Sequence, residues 1–440
     1  MLGARTGWAD FRPRWRVIQL SAPHLKRPWS TRLAIAGSAA ALAGLLLANA
    51  PSEPDLPAQS TAVLSPEVQA EVFRGGEAGF VVTEIAYALG PDAEGGACPA
   101  GMAAGVRGLI QAYAKTPEGQ RREGETLQAY ERRSSLAVNT TSDGKNICMH
   151  PELAPVDPGW RMVAGRNLQV PGIDLDGSGR SGKRSGESCA HEDFAGPNGE
   201  RGIDNQWYRV IGCTGGFQRN GQANSFQIEM YTGSWGILLS LKGVDDVRND
   251  DAVEVGIYAN ADPIQLSADR KPLAYATYAV HQDPRYRATT RGRIANGVLT
   301  IDPVDVRFHN VVNSMIDDRV LRDARLRLTF TADGGMEGFL AGYTPVENMY
   351  DIHFGARSGR TAKGELAPER LRVGTSVGRA GALGHTCNGA YHALYQAADG
   401  HRDAKTGRCT SISTQFRIRV APAFVVHTRT QSINAPLTLR

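Results

Sequence analysis

The sequence carries little net charge and no CxxC pair of cysteines. Its 440 residues have a formal charge of only +4, and no stripe of arginine and aromatic residues runs through the body of the chain, so a nucleic-acid surface is not expected. The absence of CxxC excludes thioredoxin-like redox sites, haem attachment through CxxCH and zinc ribbons. The chain is long enough to bury a core without help from cross-links.

Helix-length apolar periodicity is also scarce, whereas glycine is plentiful at 50 residues. From residue 226 to residue 343, short apolar runs recur about every 8 to 15 residues between Gly, Asp and Asn turns, which is typical of antiparallel strands. In one run Leu326, Leu328 and Phe330 alternate with polar residues, as expected where one face of a sheet is buried. We therefore predict a mainly β protein with an antiparallel β-sandwich or jelly-roll core and few helices.

The N-terminus predicts export. Residues 33–49 contain no charged side chain, and they follow a segment, 1–32, that has many basic residues and the single acid Asp10. This asymmetry keeps the basic leader in the cytoplasm and places the rest outside. The apolar segment is a signal peptide or a membrane anchor; Pro51, directly after the small residues that would mark a cleavage site, favours the anchor.

Composition divides the rest of the chain into four regions. Residues 51–78 form a proline-rich linker with a short helix predicted near its end. A loop-rich region with cysteines and an acidic, glycine-rich loop spans 79–220, and the β core spans 221–343. The C-terminal region, 344–440, contains a predicted helix at 388–398 and a last strand.

An even number of cysteines in an exported chain predicts disulfides. The six are Cys98, Cys148, Cys189, Cys213, Cys387 and Cys409. Fifteen pairings are possible, and sequential pairing is the simplest. Cys189–Cys213 and Cys387–Cys409 would then each close a loop of about 25 residues.

Acidic residues and glycines alternate in "GIDLDGSGRSG" at 172–182. Asp174, Asp176 and Ser178 stand at alternate positions, where a flexible backbone can wrap their oxygens around a hard cation. The segment resembles the beginning of an EF-hand calcium loop, but Ser185 occupies the place of the bidentate glutamate that ends such a loop. "GIDNQ" at 202–206 resembles the turns of thrombospondin type 3 calcium repeats.

We predict Ca2+ as the cofactor of this region. A Cys189–Cys213 bridge would return the downstream residues to the first loop. The predicted ligands are Asp174, Asp176, Ser178, Asp193, Asn198 and Asp204. A plain glycine-rich loop and a catalytic cluster are the alternatives.

Two further clusters are weaker candidates for metal binding. His191, with Cys189 and Asp193, has the spacing of a zinc half-site, but an exported cysteine is usually oxidised and a lone histidine usually makes one hydrogen bond. A second acidic run at 245–251 connects two predicted strands. A solvated hairpin tip is the favoured interpretation there.

Two patterns keep a hydrolase open as the alternative function. "GTSVG" at 374–378 fits the GxSxG motif, in which Ser376 would be an esterase nucleophile if a strand, a turn and a helix of a parallel sheet surrounded it. A carboxylate pair such as Glu229 and Glu254, both on predicted strands, would suit a glycosidase if the two groups met in space. Outward-facing strand residues are the simpler interpretation of both glutamates.

Several motifs together resemble a family of exported bacterial proteins. They are "CPAGM", "ICMHP", "LDG", "CAHEDF", "GIDNQWYRVIGCTGGF", "VDDVRNDDAVEV" and "ADGHRDAKTGRCTSIS", and the similarity spans about residues 90 to 420. The resemblance implies that acidic loops and cysteines belong to one recurring design. It implies no activity, substrate or site residue.

The sequence thus favours a calcium-stabilised binding or structural protein of the bacterial cell envelope, located in the periplasm or at the cell surface, over an enzyme. An envelope polymer or carbohydrate is the predicted partner, with membrane contact only through the N-terminal segment. Trp207, Tyr208 and Trp235 are candidates for stacking against a sugar, and core packing is the simpler role for them.

Overall fold

The alternating apolar pattern forms an eleven-stranded mixed sheet in the computed structural model, which describes residues 64–181, 188–189, 191–218, 221–223 and 226–428. The strands are β1 Glu77–Tyr87, β2 Gly236–Lys242, β3 Asn249–Asn260, β4 Ala276–Ala279, β5 Arg287–Ala295, β6 Val298–Ile301, β7 Val304–Val312, β8 Met315–Phe330, β9 Met336–Pro345, β10 Gly400–Arg402 and β11 Cys409–Val426.

Eight strands form a ring of antiparallel pairs, in the order β1, β2, β3, β5, β6, β8, β9 and β11. The ring closes because β1 pairs with β2 along one edge and with β11 along the other, where Phe80 lies opposite Pro422 and Tyr87 opposite Phe416. The remaining strands extend it: β7 pairs with the first half of β8, while β4 and β10 pair with β11. Closure leaves fewer unpaired edges exposed.

The predicted alternation of β8 is confirmed. Leu326, Leu328 and Phe330 are buried at 2%, 0% and 1% exposure, and the residues between them are partly exposed. The mainly β composition is likewise confirmed, whereas the strand order, a single closed ring, does not confirm the sandwich or jelly roll. The ring also combines strands from the regions 79–220, 221–343 and 344–440, which composition separated.

The described residues also form nine α-helices. They are α1 Pro66–Val72, α2 Gly105–Tyr113, α3 Leu127–Asn139, α4 Ser178–Ser181, α5 Gln206–Ile211, α6 Gln227–Tyr231, α7 Val346–Tyr350, α8 Glu369–Leu383 and α9 Cys387–Ala397. The predicted helices at α1 and α9 are confirmed, and the Ser65 hydroxyl caps α1 by accepting from the N–H of Val68. The apolar run at 226–231, predicted as a strand, is instead α6.

The N-terminal predictions fall outside the described residues. This applies to the basic leader 1–32, to the apolar segment 33–49 and to residues 51–63 of the linker. Among the residues that are described, no helix is both long and apolar enough to cross a membrane.

All six cysteines form disulfides, as predicted, but the sequential pairing is wrong. The bonds are Cys98–Cys213, Cys148–Cys387 and Cys189–Cys409. They join residues 115, 239 and 220 positions apart, because the ring brings distant parts of the chain together. Three disulfides are consistent with a location outside the cytoplasm.

Candidate metal centre

Three of the predicted calcium ligands come together. Asp174, Asp176 and Asp204 each offer a carboxylate oxygen, and these oxygens all lie within 4.8 Å of one another. Two ligands of one Ca2+ ion, each about 2.3–2.6 Å from it, lie at most about 5 Å apart. The spacing of the three oxygens therefore fits a single ion between them.

Hydrogen bonds join the loop that contains Asp174 and Asp176 to the turn that contains Asp204. Oδ2 of Asp204 accepts hydrogen bonds from the backbone N–H groups of Leu175, at 2.6 Å, and Asp176, at 3.1 Å. Within the first segment, Oδ1 of Asp174 accepts from the N–H of Gly177 at 2.7 Å. These bonds fix the carboxylates of the loop on the same side as Asp204.

A buried amide of β11 holds both segments in place. Oε1 of Gln415 accepts from the N–H of Ile173 at 2.9 Å, and its Nε2 donates to the carbonyls of Ile173 and Asp204 at 2.7 and 2.6 Å. Gln415 has no exposed surface. The sheet itself therefore positions the acidic loops, a role that the sequence prediction assigned to a Cys189–Cys213 bridge.

Two glycines allow the segments to approach closely. A Cβ on Gly202 would lie 2.5 Å from the backbone nitrogen of Gly179, and φ of Gly202 is +71°. A Cβ on Gly179 would lie 2.2 Å from the carbonyl oxygen of Arg201. Side chains at these two positions would push the acidic loops apart.

Burial and neighbouring carboxylates act on the ionisation of Asp204. Burial, followed by the carboxylates of Asp176 and Asp399, raises the pKa of Asp204 to about 8. Asp204 is 4% exposed. A divalent cation would stabilise the ionised form of Asp204 and remove the repulsion between these groups.

Asp399 is the member of this acidic group that sequence reasoning missed. It precedes β10, nearly 200 residues after Asp204, and is 4% exposed. Its Oδ1 accepts from the N–H of Ser413 at 2.7 Å. Burial raises its pKa to about 7, and Asp176 adds to that rise. Only the pairing of β10 with β11 brings it near, so no local sequence pattern marks it.

The other three predicted ligands lie differently. Ser178 donates through Oγ to Oδ2 of Asp193 at 2.9 Å, so both stand beside the group of three carboxylates rather than within it. Asn198 is exposed in a turn and donates to Oε1 of Glu200 at 3.3 Å. A metal-binding role for these three stays a prediction.

The zinc half-site is excluded because Cys189 has no free thiolate to bind a metal. Cys189 is bonded to Cys409, and Nε2 of His191 lies 2.9 Å from the carbonyl oxygen of Ala398. The Cys189–Cys409 bond also supports the acidic centre: the N–H of Cys189 donates to the carbonyl of Asp399 at 2.8 Å, and Ser188 donates through Oγ to Oδ2 of Asp176 at 3.1 Å.

The second acidic run forms a turn between β2 and β3. Oδ2 of Asp250 accepts from the N–H of Asp245 at 2.8 Å, and its Oδ1 accepts from the N–H of Ala252 at 3.0 Å. These backbone hydrogen bonds lower the pKa of Asp250. The carboxylates therefore organise an exposed hairpin tip, as the favoured interpretation predicted.

The residues of the hydrolase motifs lie in secondary structure that does not suit the chemistry proposed for them. Ser376 lies in the middle of α8, has no exposed surface, and donates through Oγ to the carbonyl of Val373 at 3.0 Å. A nucleophile elbow needs a strand before the serine. Glu229 lies on α6 rather than on a strand, while Glu254 lies on β3 with its side chain exposed, 3.7 Å from Nζ of Lys242.

The aromatic candidates for sugar stacking belong to the core. Trp207, Tyr208 and Trp235 are 0%, 1% and 1% exposed, so the simpler interpretation of these residues is confirmed. Comparison of the chain with protein-family models, curated proteins and solved structures gave no match.

Proposed function

We propose that this protein works outside the cytoplasm as a calcium-stabilised structural or binding protein of the bacterial cell envelope. One observation carries the proposal: the oxygens of Asp174, Asp176 and Asp204 lie within 4.8 Å of one another on segments that the sheet holds together. The three disulfides, the predicted export segment and the resemblance to exported bacterial proteins support the location.

Calcium is the proposed ion because all candidate donors are oxygens. Carboxylates and hydroxyls suit hard cations, and Ca2+ accepts six to eight oxygens in flexible geometry. Three carboxylates, with Ser178 or backbone carbonyls, supply that number. Extracellular sites need only weak affinity, because calcium outside the cytoplasm is abundant.

Metal analysis of the exported, purified protein tests the proposal. We expect about one calcium per chain, a strongly reduced content in Asp204→Asn, and an unchanged content in Asp250→Asn, which alters an exposed acidic turn. The double change of Lys183 and Arg184 to alanine tests whether basic side chains, rather than calcium, neutralise the carboxylates. These two residues lie in the same segment of the sequence as Asp174 and Asp176. A calcium-free protein that is destabilised only by the double change would contradict the proposal.

The proposed ligand is an envelope polysaccharide or another envelope polymer. With Trp207, Tyr208 and Trp235 in the core, such a ligand would bind to a different part of the surface. Sedimentation of the purified protein with isolated cell-wall material, with and without calcium, tests this part separately. Calcium binding without sedimentation would leave a purely structural role.

A further inference from the structure

Arg319 on β8 is a buried cation without a close anionic partner. The residue is 8% exposed, and Nε donates to Oδ1 of Asn310 at 3.0 Å. No carboxylate oxygen of the described residues lies within 4 Å of the guanidinium, and Glu229 and Asp317 act on it only from farther away. A buried, unpaired charge is strongly unfavourable.

Aromatic rings supply part of the compensation. Cζ of Arg319 lies 4.3 Å from the centre of the Trp235 ring and 4.7 Å from that of Phe226. The free energy gained from a cation–π contact is smaller than the free energy lost when a guanidinium is desolvated. The guanidinium also has five N–H donors, of which the bond to Asn310 uses one. The Tyr87 hydroxyl is a second acceptor that acts on the guanidinium. Among the described residues the site therefore lacks a close negative charge and acceptors for the other N–H groups.

A small cavity adjoins the guanidinium. Its volume is about 20 Å³, and Tyr87, Trp235, Arg319, Thr344, His353 and Phe416 are among its lining residues. This exceeds the roughly 10–15 Å³ that one water needs. The indole N–H of Trp235, another lining residue, is buried and has no hydrogen-bond acceptor among the described residues.

The other polar residues of the cavity do not neutralise Arg319. The Tyr87 hydroxyl lies 2.5 Å from Nε2 of His353, so it can donate to the imidazole while its oxygen accepts from Arg319. Burial holds the pKa of His353 well below its usual value and raises that of Tyr87. Both are therefore neutral, and the net charge of the cavity lining is that of Arg319.

We propose that this cavity binds one small monatomic anion of the chloride class. The Arg319 guanidinium supplies the positive charge, and the indole N–H of Trp235 supplies a second hydrogen-bond donor. A water molecule of similar size would accept hydrogen bonds but would leave the charge unbalanced. The anion would thus join Arg319 on β8 to Trp235, directly before β2, as a buried structural ligand that is independent of the calcium site.

Halide substitution in the intact protein tests the proposal. Melting temperature is measured at fixed ionic strength and fixed calcium while gluconate, which is too large for the cavity, is replaced by chloride or bromide. We expect melting temperature to rise by about 2 °C for each tenfold increase in halide above the dissociation constant. Arg319→Met should abolish this dependence, whereas Arg291→Met, at an exposed position of β5, should retain it.

Anomalous scattering from crystals grown in bromide gives a second measurement that needs no variant. We expect a bromide peak in the cavity beside Arg319. A water there without anomalous signal, or a melting temperature that ignores halide in the wild type, would overturn the proposal. If Arg319→Met fails to fold, the bromide peak still decides.

Discussion

The carboxylates of Asp176 and Asp204 face each other within 4.8 Å, although 28 positions separate the two residues. The backbone N–H of Asp176 also donates to Oδ2 of Asp204 at 3.1 Å. Backbone hydrogen bonds hold the two acids together against the repulsion of their charges. This relationship yields predictions about pH, about the residues that hold the loops, and about calcium.

Without calcium, the protein should lose stability as pH rises. The pKa of Asp204 is raised from 3.8 to about 8 and that of Asp399 to about 7. Between about pH 4 and pH 8 the folded state therefore binds more protons than the unfolded chain, and the free energy of unfolding falls as pH rises through that window. Urea unfolding in chelator at pH 5, 6, 7 and 8 measures it.

The Asp204→Asn variant isolates this effect from other titrating groups. In chelator at pH 8 it should be at least as stable as the wild type, because the amide still accepts hydrogen bonds and carries no charge. With calcium the wild type should be more stable than the variant, because the variant lacks one of the proposed calcium ligands. If the wild type is the more stable protein in chelator at pH 8, repulsion between ionised Asp204 and its neighbouring carboxylates does not destabilise the folded state.

Gln415→Ala should destabilise the protein by about 2–4 kcal/mol, because the N–H of Ile173 and the carbonyl of Asp204 lose the amide that they bond to. Calcium affinity should fall as well, since the two acidic segments lose their common anchor. Denaturant unfolding and calorimetric calcium titration measure the two effects. Gln396→Ala, at an exposed position of α9, is the control and should change neither.

The Cys189–Cys409 bond should matter more for calcium than the Cys148–Cys387 bond does. Replacing either pair with serine should lower stability by about 2–5 kcal/mol. Only loss of Cys189–Cys409 should also weaken calcium binding, because Cys189 and Ser188 contact Asp399 and Asp176. Peptide mapping without reduction checks the pairing. Equal loss of calcium affinity in both variants would contradict the role of the first bond.

Local patterns predicted the strands well and the helices less well. Alternation identified β8 because one face is buried and the other partly exposed. The same reasoning failed at α6, where five residues are too few to distinguish the helical from the strand periodicity. It also missed α8, whose glycines at 374, 378 and 381 weaken helix propensity.

The candidate site was predicted in part for the same reason. Asp174 and Asp176 share one short loop, and Asp204 lies in a second acidic turn, so composition marks all three. Asp399 and Gln415 reach the site only through the pairing of β10, β11 and β9. Disulfide pairing is equally non-local, so the sequential guess had no physical basis beyond short loops.

Thermal unfolding with calcium and with chelator tests the central claim most directly. At a hundredfold excess of calcium over its dissociation constant, binding should add about 3 kcal/mol to the free energy of unfolding. We expect the melting temperature of the wild type and of Asp250→Asn to rise by several degrees with calcium, and that of Asp204→Asn to stay constant. A wild-type melting temperature that is the same in calcium and in chelator would contradict the account.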